Sequence, residues 1–263
     1  MVVLKLGGEL LEDAAALAGA AAAIVRLAAD GPLIVVHGGG RAIDAELRAH
    51  GIEPRFVDGL RVTDAATLDV VVSVLAGRTN TALVAAIGGA GARAVGLTGA
   101  DAWIGCCRPS EAMASVSGTS VDLGLVGQPD ATDTTLLTDL TRRAYIPVVA
   151  SIGATRDGSL LNVNADTLAA HFAASLRATQ FIIAGGTAGV LDASGVTIPA
   201  LGAEGIATLT ASGTAHSGMV AKLSACRRAL EAGVREIAIV NGRGAADYRT
   251  APGTRITREL ATK

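Results

Sequence analysis

The 263-residue chain carries 22 Lys and Arg against 24 Asp and Glu, a net charge of −2 with no basic block, which argues against a broad nucleic-acid-binding face. Half of it is hydrophobic and only 2% aromatic, so a sizeable core is expected, built from aliphatic side chains and alanine. No uninterrupted apolar run approaches the roughly 20 residues that cross a bilayer, no basic segment opens the chain as a signal peptide would, and Cys106, Cys107 and Cys226 fit neither a disulfide framework nor a zinc spacing; the expected setting is the reducing cytoplasm, with no membrane or nucleic-acid partner.

Val2-Val3-Leu4-Lys5-Leu6 opens the chain as an apolar run, expected as a strand covered on both faces. Residues 14–29 are alanine-rich and helical, stopped by Asp30-Gly31-Pro32. A buried strand over 33–36 leads into Gly38-Gly39-Gly40 and a helix over about 41–50. Residues 65–87 put Leu68, Val71, Val72, Leu75, Ala76, Leu83 and Ile87 on one helical stripe, with Asp69, Ser73 and Arg78 facing away. Strands over 94–97 and 146–151 bracket a helix at about 134–144. Between Trp103 and Gln128 the chain is rich in Ser, Gly and Thr, expected as a β-hairpin excursion over the site, and Asp157-Gly158 signals a hairpin turn. Helices over 165–176 and 219–231 and strands over 181–184 and 236–240 complete the alternation. The pattern implies an α/β fold, a three-layer sandwich with a mainly parallel central sheet flanked by helices. The expected lobes are residues 1–175 and 176–263, although composition does not mark the boundary.

Gly7-Gly8 and Gly38-Gly39-Gly40 each follow a strand and precede a helix, where α/β sheets bind ligands. Such glycines let backbone N–H groups approach an anion, or simply make tight turns. Neither segment is a Walker A loop or a GxGxxG fingerprint. Lys5 within an apolar strand needs a negative partner unless it lies at a sheet edge, where its stem reaches water. Lys222 follows Gly218 at a helix start, a setting suited to an anion. In Asn162-Val163-Asn164-Ala165-Asp166, N-capping explains one polar residue and leaves the others over. Arg61 precedes a helix that Thr63 or Asp64 caps, and is either a carboxylate clamp or an exposed loop residue. Asp101 lines a pocket or closes a turn. His37, His50, His171 and His216 show no metal-ligand spacing. Two fixed cations with anion-accepting glycine turns are the parts of a phosphoryl-transfer site.

Together, VLKLGGE, VVHGGGRAID, GIEPRFVDGLRVTDAATLDVV, VLAGRTN, AVGLTGADA, DLGLVG, IPVVASIG, LNVNAD, GVLD and GMVAK resemble the amino-acid kinase family along almost the whole chain. GLRVTD and LNVNAD are the most discriminating, and resemble the branch that acts on an acylated amino acid. The resemblance implies ATP-dependent phosphorylation of the γ-carboxylate of N-acetyl-L-glutamate in arginine biosynthesis, with Mg²⁺ carried by the nucleotide. It implies that Lys5 and Lys222 neutralise the transferring group while Asp166 holds both lysines. Gly8, Gly39 and Gly40 would donate N–H groups to phosphoryl oxygens and substrate, Arg61 and Asn162 would hold the acceptor, and Gly218 and Lys222 would meet the nucleotide. The first lobe would bind the acyl substrate and carry the dimer interface, the second the nucleotide.

The chain departs from the family in Gly185-Gly186, where a Thr or Ser followed by Asp is usual, in Glu9, where small residues are commoner, and in the bulk of Trp103. A kinase of carrier-linked aminoadipate or glutamate, and a non-catalytic effector-binding member of the fold, are the competing readings. Family members inhibited by arginine carry a helix ahead of the first strand. Here that strand starts at Val2, and the segment after Gly253 is short, so an arginine-insensitive homodimer is expected.

Overall fold

Strand β1 (Val2–Leu6) is an interior strand, so Lys5 does not sit at a sheet edge. The computed structural model describes residues 1–114, 120–211 and 217–258; His216 and part of the expected 103–128 excursion lie outside them. After β1 come α1 (Ala14–Ala28), β2 (Leu33–His37), α2 (Gly40–Ala49) and the short strands β3 (Phe56–Val57) and β4 (Leu60–Arg61). One 25-residue helix follows, Ala65–Gly89, made of α3 (Ala65–Val72), a π-helical middle (Ser73–Thr79) and α4 (Asn80–Gly89). The chain continues through β5 (Ala94–Thr98), β6 (Cys107–Pro109), β7 (Met113–Ala114), β8 (Ser120–Val121), β9 (Val126–Pro129), α5 (Thr135–Arg142), β10 (Ile146–Ala150), β11 (Ile152–Ala154), β12 (Leu160–Val163) and α6 (Ala165–Ser175). The last elements are β13 (Gln180–Gly185), β14 (Ala200–Leu201), α7 (Ala203–Ala211), α8 (Ser217–Glu231), β15 (Glu236–Asn241) and β16 (Gly253–Ile256).

The main sheet has eight strands in the order β14-β16-β15-β13-β1-β2-β10-β5. Its ladders are parallel except β15 with β16. Strand side chains alternate between faces. Val3, Ile34, Val36, Phe181 and Ile183 pack with Leu168 and Phe172 of α6 and Leu223 of α8. Val2, Leu4, Leu6, Val35 and Ile182 pack with Ile24 and Leu27 of α1 and with Leu83 and Ile87 of α4. These are the two helical layers of the expected sandwich, and the same alternation puts Lys5 on the α6 side. The sheet runs unbroken past residue 175, because β1 is hydrogen-bonded to β13. Strand order reverses at β1, which makes its carboxyl end a topological switch point.

A second sheet has the strand order β11-β12-β9-β6, and its Val126 and Asn162 line the same cavity as Lys5 at that end. Its β11–β12 hairpin turns through Gly158, whose φ of +90° suits glycine. Met113–Ala114 and Ser120–Val121 pair antiparallel within the expected excursion. The sequence reading misses α7, β14 and the antiparallel β16. The helix Ala65–Gly89 is long and apolar enough to cross a membrane by length and composition, but it carries Asp69 and Arg78, both exposed, and buries Leu68, Val71, Leu75, Leu83 and Ile87 in the core. Val72 and Ala76 of the expected stripe are only partly covered, while Val70 and Val74 are buried.

The π-helical middle reaches the second glycine turn. Asn80, just after it, donates from Nδ2 to the Val148 carbonyl at 2.9 Å and lies 3.0 Å from His37 Nε2. His37 Nδ1 is 3.2 Å from the Gly38 carbonyl. A neutral ring donating to Gly38 and accepting from Asn80 satisfies all three groups. Complete burial of His37 pushes its pKa down to about 4, only partly opposed by the Gly38 carbonyl. The unfolded chain therefore binds more protons than the folded one between about pH 6.5 and 4. The neutral imidazole's contribution to stability is complete above that window and is lost as pH falls through it. In urea titrations, stability should fall across this window more steeply for the wild type than for His37→Gln, by up to about 1.4 kcal/mol per pH unit. Equal slopes would mean that His37 titrates normally.

Candidate active site

The carboxyl ends of β1 and β2 and the start of α6 enclose a cleft of about 240 Å³ lined by Lys5, Gly8, Gly39, Gly40, Arg61, Asn162 and Asp166. Lys5 is 7% and Asp166 5% exposed, and Nζ of Lys5 lies 3.0 Å from Oδ1 of Asp166. Burial of each charge is tolerable because the other is there. Among the described residues that oxygen receives no hydrogen bond, so the contact is an ion pair by distance rather than a well-aligned hydrogen bond. Asn164 is the N-cap of α6, accepting from Thr167 N at 3.0 Å. This leaves Asp166, in the first helical turn, free for Lys5.

The two glycine turns touch. A Cβ built on Gly8 would fall 2.7 Å from Cα of Gly39, and one on Gly39 would fall 2.8 Å from Cδ2 of Leu75. Neither residue has a left-handed φ, so glycine is required here for close approach. Gly39 is the N-cap of α2 and supplies no side-chain cap. The first N–H groups of α2 thus remain available to an anion in the cleft.

Arg61 is 8% exposed and is fixed from two sides. Its Nη2 lies 2.6 Å from Oδ1 of Asp44 and donates to the Gly40 carbonyl at 3.3 Å, while its guanidinium stacks 4.6 Å from the centroid of Phe56. Phe56 faces it because β3 and β4 form a hairpin around Asp58 and Gly59, both with positive φ. Nη1 of Arg61 is buried with no hydrogen-bond partner among the described residues. A buried guanidinium nitrogen without a partner is a donor that a carboxylate can satisfy. Opposite, Asn162 Nδ2 donates to Thr63 Oγ1 at 3.0 Å, and that hydroxyl donates to the Arg61 carbonyl at 3.1 Å. Asp64 caps the following helix by accepting from Thr67 N at 2.8 Å.

Lys222 and Gly218 lie in a neighbouring cavity of about 480 Å³ with Val190, Leu191, Leu209 and Met219. Lys222 Nζ donates to the Gly218 carbonyl at 3.3 Å, and within this structure Asp166 pairs with Lys5 rather than with both lysines. Apolar walls beside a lysine and a helix N-terminus suit a nucleotide. Among the described residues no group of three or more His, Cys, Asp or Glu is arranged to hold a metal ion.

Other expectations resolve plainly. Asp101 closes a turn, accepting from Thr98 N at 2.6 Å and from its hydroxyl at 2.9 Å. Burial pushes the Cys107 thiol up to about 12 and raises that of Cys226, so neither is primed as a nucleophile. Sequence reasoning missed Asp44, Thr63 and Phe56, which position Arg61 and Asn162. The Asp58-Gly59 pair between Val57 and Leu60 was the signal for the hairpin. Asp44 had no signal beyond lying one helical turn after Gly40.

A model of the amino acid kinase family matches residues 1–241. The acetylglutamate kinase of Sphingopyxis alaskensis is 44% identical over 247 residues, covering 92% of this chain and 82% of that protein. The acetylglutamate kinase of Koribacter versatilis is 40% identical over 240 residues, covering 91% and 89%. Among solved structures, N-acetylglutamate synthase from Neisseria gonorrhoeae, complexed with coenzyme A and N-acetyl-glutamate, superimposes with a TM-score of 0.83 at 28% identity. That match covers 98% of this chain, which spans only 59% of the synthase. With the fold, the paired glycine turns and these matches in agreement, the chain belongs to the amino acid kinase family.

Proposed function

We propose that this protein is an enzyme transferring the γ-phosphoryl group of ATP to the γ-carboxylate of N-acetyl-L-glutamate, giving an acyl phosphate and ADP in arginine biosynthesis. The observation that carries the reading is the single cleft in which Lys5, two abutting glycine turns and the buried guanidinium of Arg61 meet. The identity to two acetylglutamate kinases supports the choice of acceptor.

In this reading Arg61 and Asn162 grip the acceptor and aim its distal carboxylate at the glycine turns. Gly8, Gly39 and Gly40 offer N–H groups to the transferring phosphoryl oxygens. Lys5, steadied by Asp166, neutralises charge that grows on those oxygens, and Lys222 does so from the nucleotide side with Gly218. No covalent catalyst is needed, because phosphoryl transfer is accelerated mainly by positioning and electrostatic stabilisation. Mg²⁺, carried by the nucleotide, would supply further charge neutralisation there when bound. Residues 1–175 then serve as the acyl-substrate lobe and residues 176–263 as the nucleotide lobe. A homodimer formed through the first lobe belongs to the same reading.

A coupled ADP-release assay with N-acetyl-L-glutamate tests the reading directly; no turnover with this acceptor would overturn it. Lys222→Ala should lower kcat by at least on the order of a hundredfold, the scale of removing one electrostatic stabiliser. Thermal stability should hold, because the hydrogen bond that Lys222 makes among the described residues goes to the Gly218 carbonyl of its own helix. Lys5→Ala should lose both activity and stability, the latter by about 3–5 kcal/mol, since it strands a buried carboxylate. A fully active, well-folded Lys222→Ala protein would remove Lys222 from the mechanism.

Arg61→Lys keeps the charge and loses the planar fork. It should raise KM for N-acetyl-L-glutamate by about tenfold or more, as expected for a lost charge-assisted hydrogen bond, and leave KM for ATP nearly unchanged. Parallel rises in both constants would indicate a general structural role.

A further inference from the structure

Glu9 is out of place by charge. It begins one residue after the first glycine turn and lines the same cleft as Lys5 and Gly8, where a carboxylate repels phosphate. Its surroundings explain why it is tolerated there. Oε1 accepts the N–H of Gly186 at 2.7 Å, across 177 residues of chain. The carboxylate occupies a niche that exists because three neighbouring residues lack side chains. A Cβ on Gly185 would lie 3.0 Å from Oε1, one on Gly186 would lie 3.2 Å from Cγ, and one on Gly7 would collide with the carboxylate itself. Burial works against the ionised form, but the N–H groups of Glu9 and Gly186 and the charges of Lys5 and Lys222 more than offset it.

The contact also falls where the backbone stops supplying one. The β1–β13 ladder ends with Gly7 N donating to the Ala184 carbonyl at 2.8 Å. Gly185 is held from the other side, its carbonyl accepting from Gly242 N at 2.7 Å. Beyond these bonds the chain after β1 turns into the short 3₁₀ turn Gly8–Leu10, and the chain after β13 moves toward the cavity of Lys222. The Glu9 side chain is the next tie between the two segments.

We propose that Glu9 is a positioning residue that fastens the phosphoryl-holding turn at Gly8 to the loop entering the nucleotide cavity, with Gly7, Gly185 and Gly186 left bare to seat its carboxylate. This rests on the kinase reading above. What does the positioning is the accepted hydrogen bond; the phosphate itself is met by lysines and backbone N–H groups.

The bond and the charge are separable by substitution. Glu9→Ala should raise KM for ATP at least tenfold and lower kcat, while KM for N-acetyl-L-glutamate stays within twofold. Glu9→Asp, one methylene short of Gly186, should behave similarly. Glu9→Gln keeps an oxygen to accept from Gly186 and should recover most of the loss. An unchanged ATP constant in Glu9→Ala, or a Glu9→Gln protein as impaired as Glu9→Ala, would overturn the proposal. Hydrogen exchange at the Gly186 amide gives a readout independent of turnover: it should quicken at least tenfold in Glu9→Ala and not in Glu9→Gln. If the wild type fails to phosphorylate N-acetyl-L-glutamate, the functional reading falls, and exchange at Gly186 still decides whether the tie exists.

Discussion

The Lys5–Asp166 ion pair is the constraint around which the molecule is arranged. A cation on the central strand of a covered sheet is tolerable only with an anion at contact distance, and here that anion comes from the first turn of α6. To deliver it, α6 must lie on the Val3 face of the sheet with its N-terminus over the carboxyl end of β1. Asn164 makes that geometry possible by taking the capping role itself. The apolar remainder of α6 then fixes the helix, because Leu168, Phe172 and Ala173 are fully buried. The pair is weak as a source of stability and strong as a specifier of arrangement.

The glycine turns follow from the same economy of space. An anion site built from backbone N–H groups needs chains that approach closely, and Gly8 against Gly39 is that approach. The donors are held by main chain and by Leu75 packed beneath Gly39, so little rearrangement accompanies charge development in the cleft. Arg61 is treated likewise. Asp44 and Gly40 engage its Nη2 and Phe56 covers one face, while the buried Nη1 has no hydrogen-bond partner among the described residues.

Much of this was legible in the chain. The apolar runs around Lys5 and His37 and the glycines after them announced parallel strands ending at a ligand site, because periodicity and glycine spacing are local signals. Lys5, Gly8, Gly39, Gly40, Arg61, Asn162 and Asp166 do gather in one cleft. What stayed hidden depends on pairing at a distance. The Arg61–Asp44 and Asn162–Thr63 contacts join residues whose proximity only the folded chain creates. Glu9 and Gly185-Gly186 stood out separately as departures, and nothing local revealed that they share one niche. The antiparallel β16 is short and its ladder to β15 is a tertiary choice rather than a propensity.

The π-helical middle of the long helix has a consequence for how this chain tolerates change. In an α-helix residues three or four apart share a face, so Leu75 and Asn80 would look in different directions. Closing the turn at i→i+5 brings residues five apart onto one side, and both then face the second glycine turn, Leu75 beneath Gly39 and Asn80 on His37. The segment Ser73–Thr79 therefore acts as a reading-frame adjustment in three dimensions. Losing one residue there would leave a more regular helix, and the turn it supports would lose either its packing or its hydrogen bond.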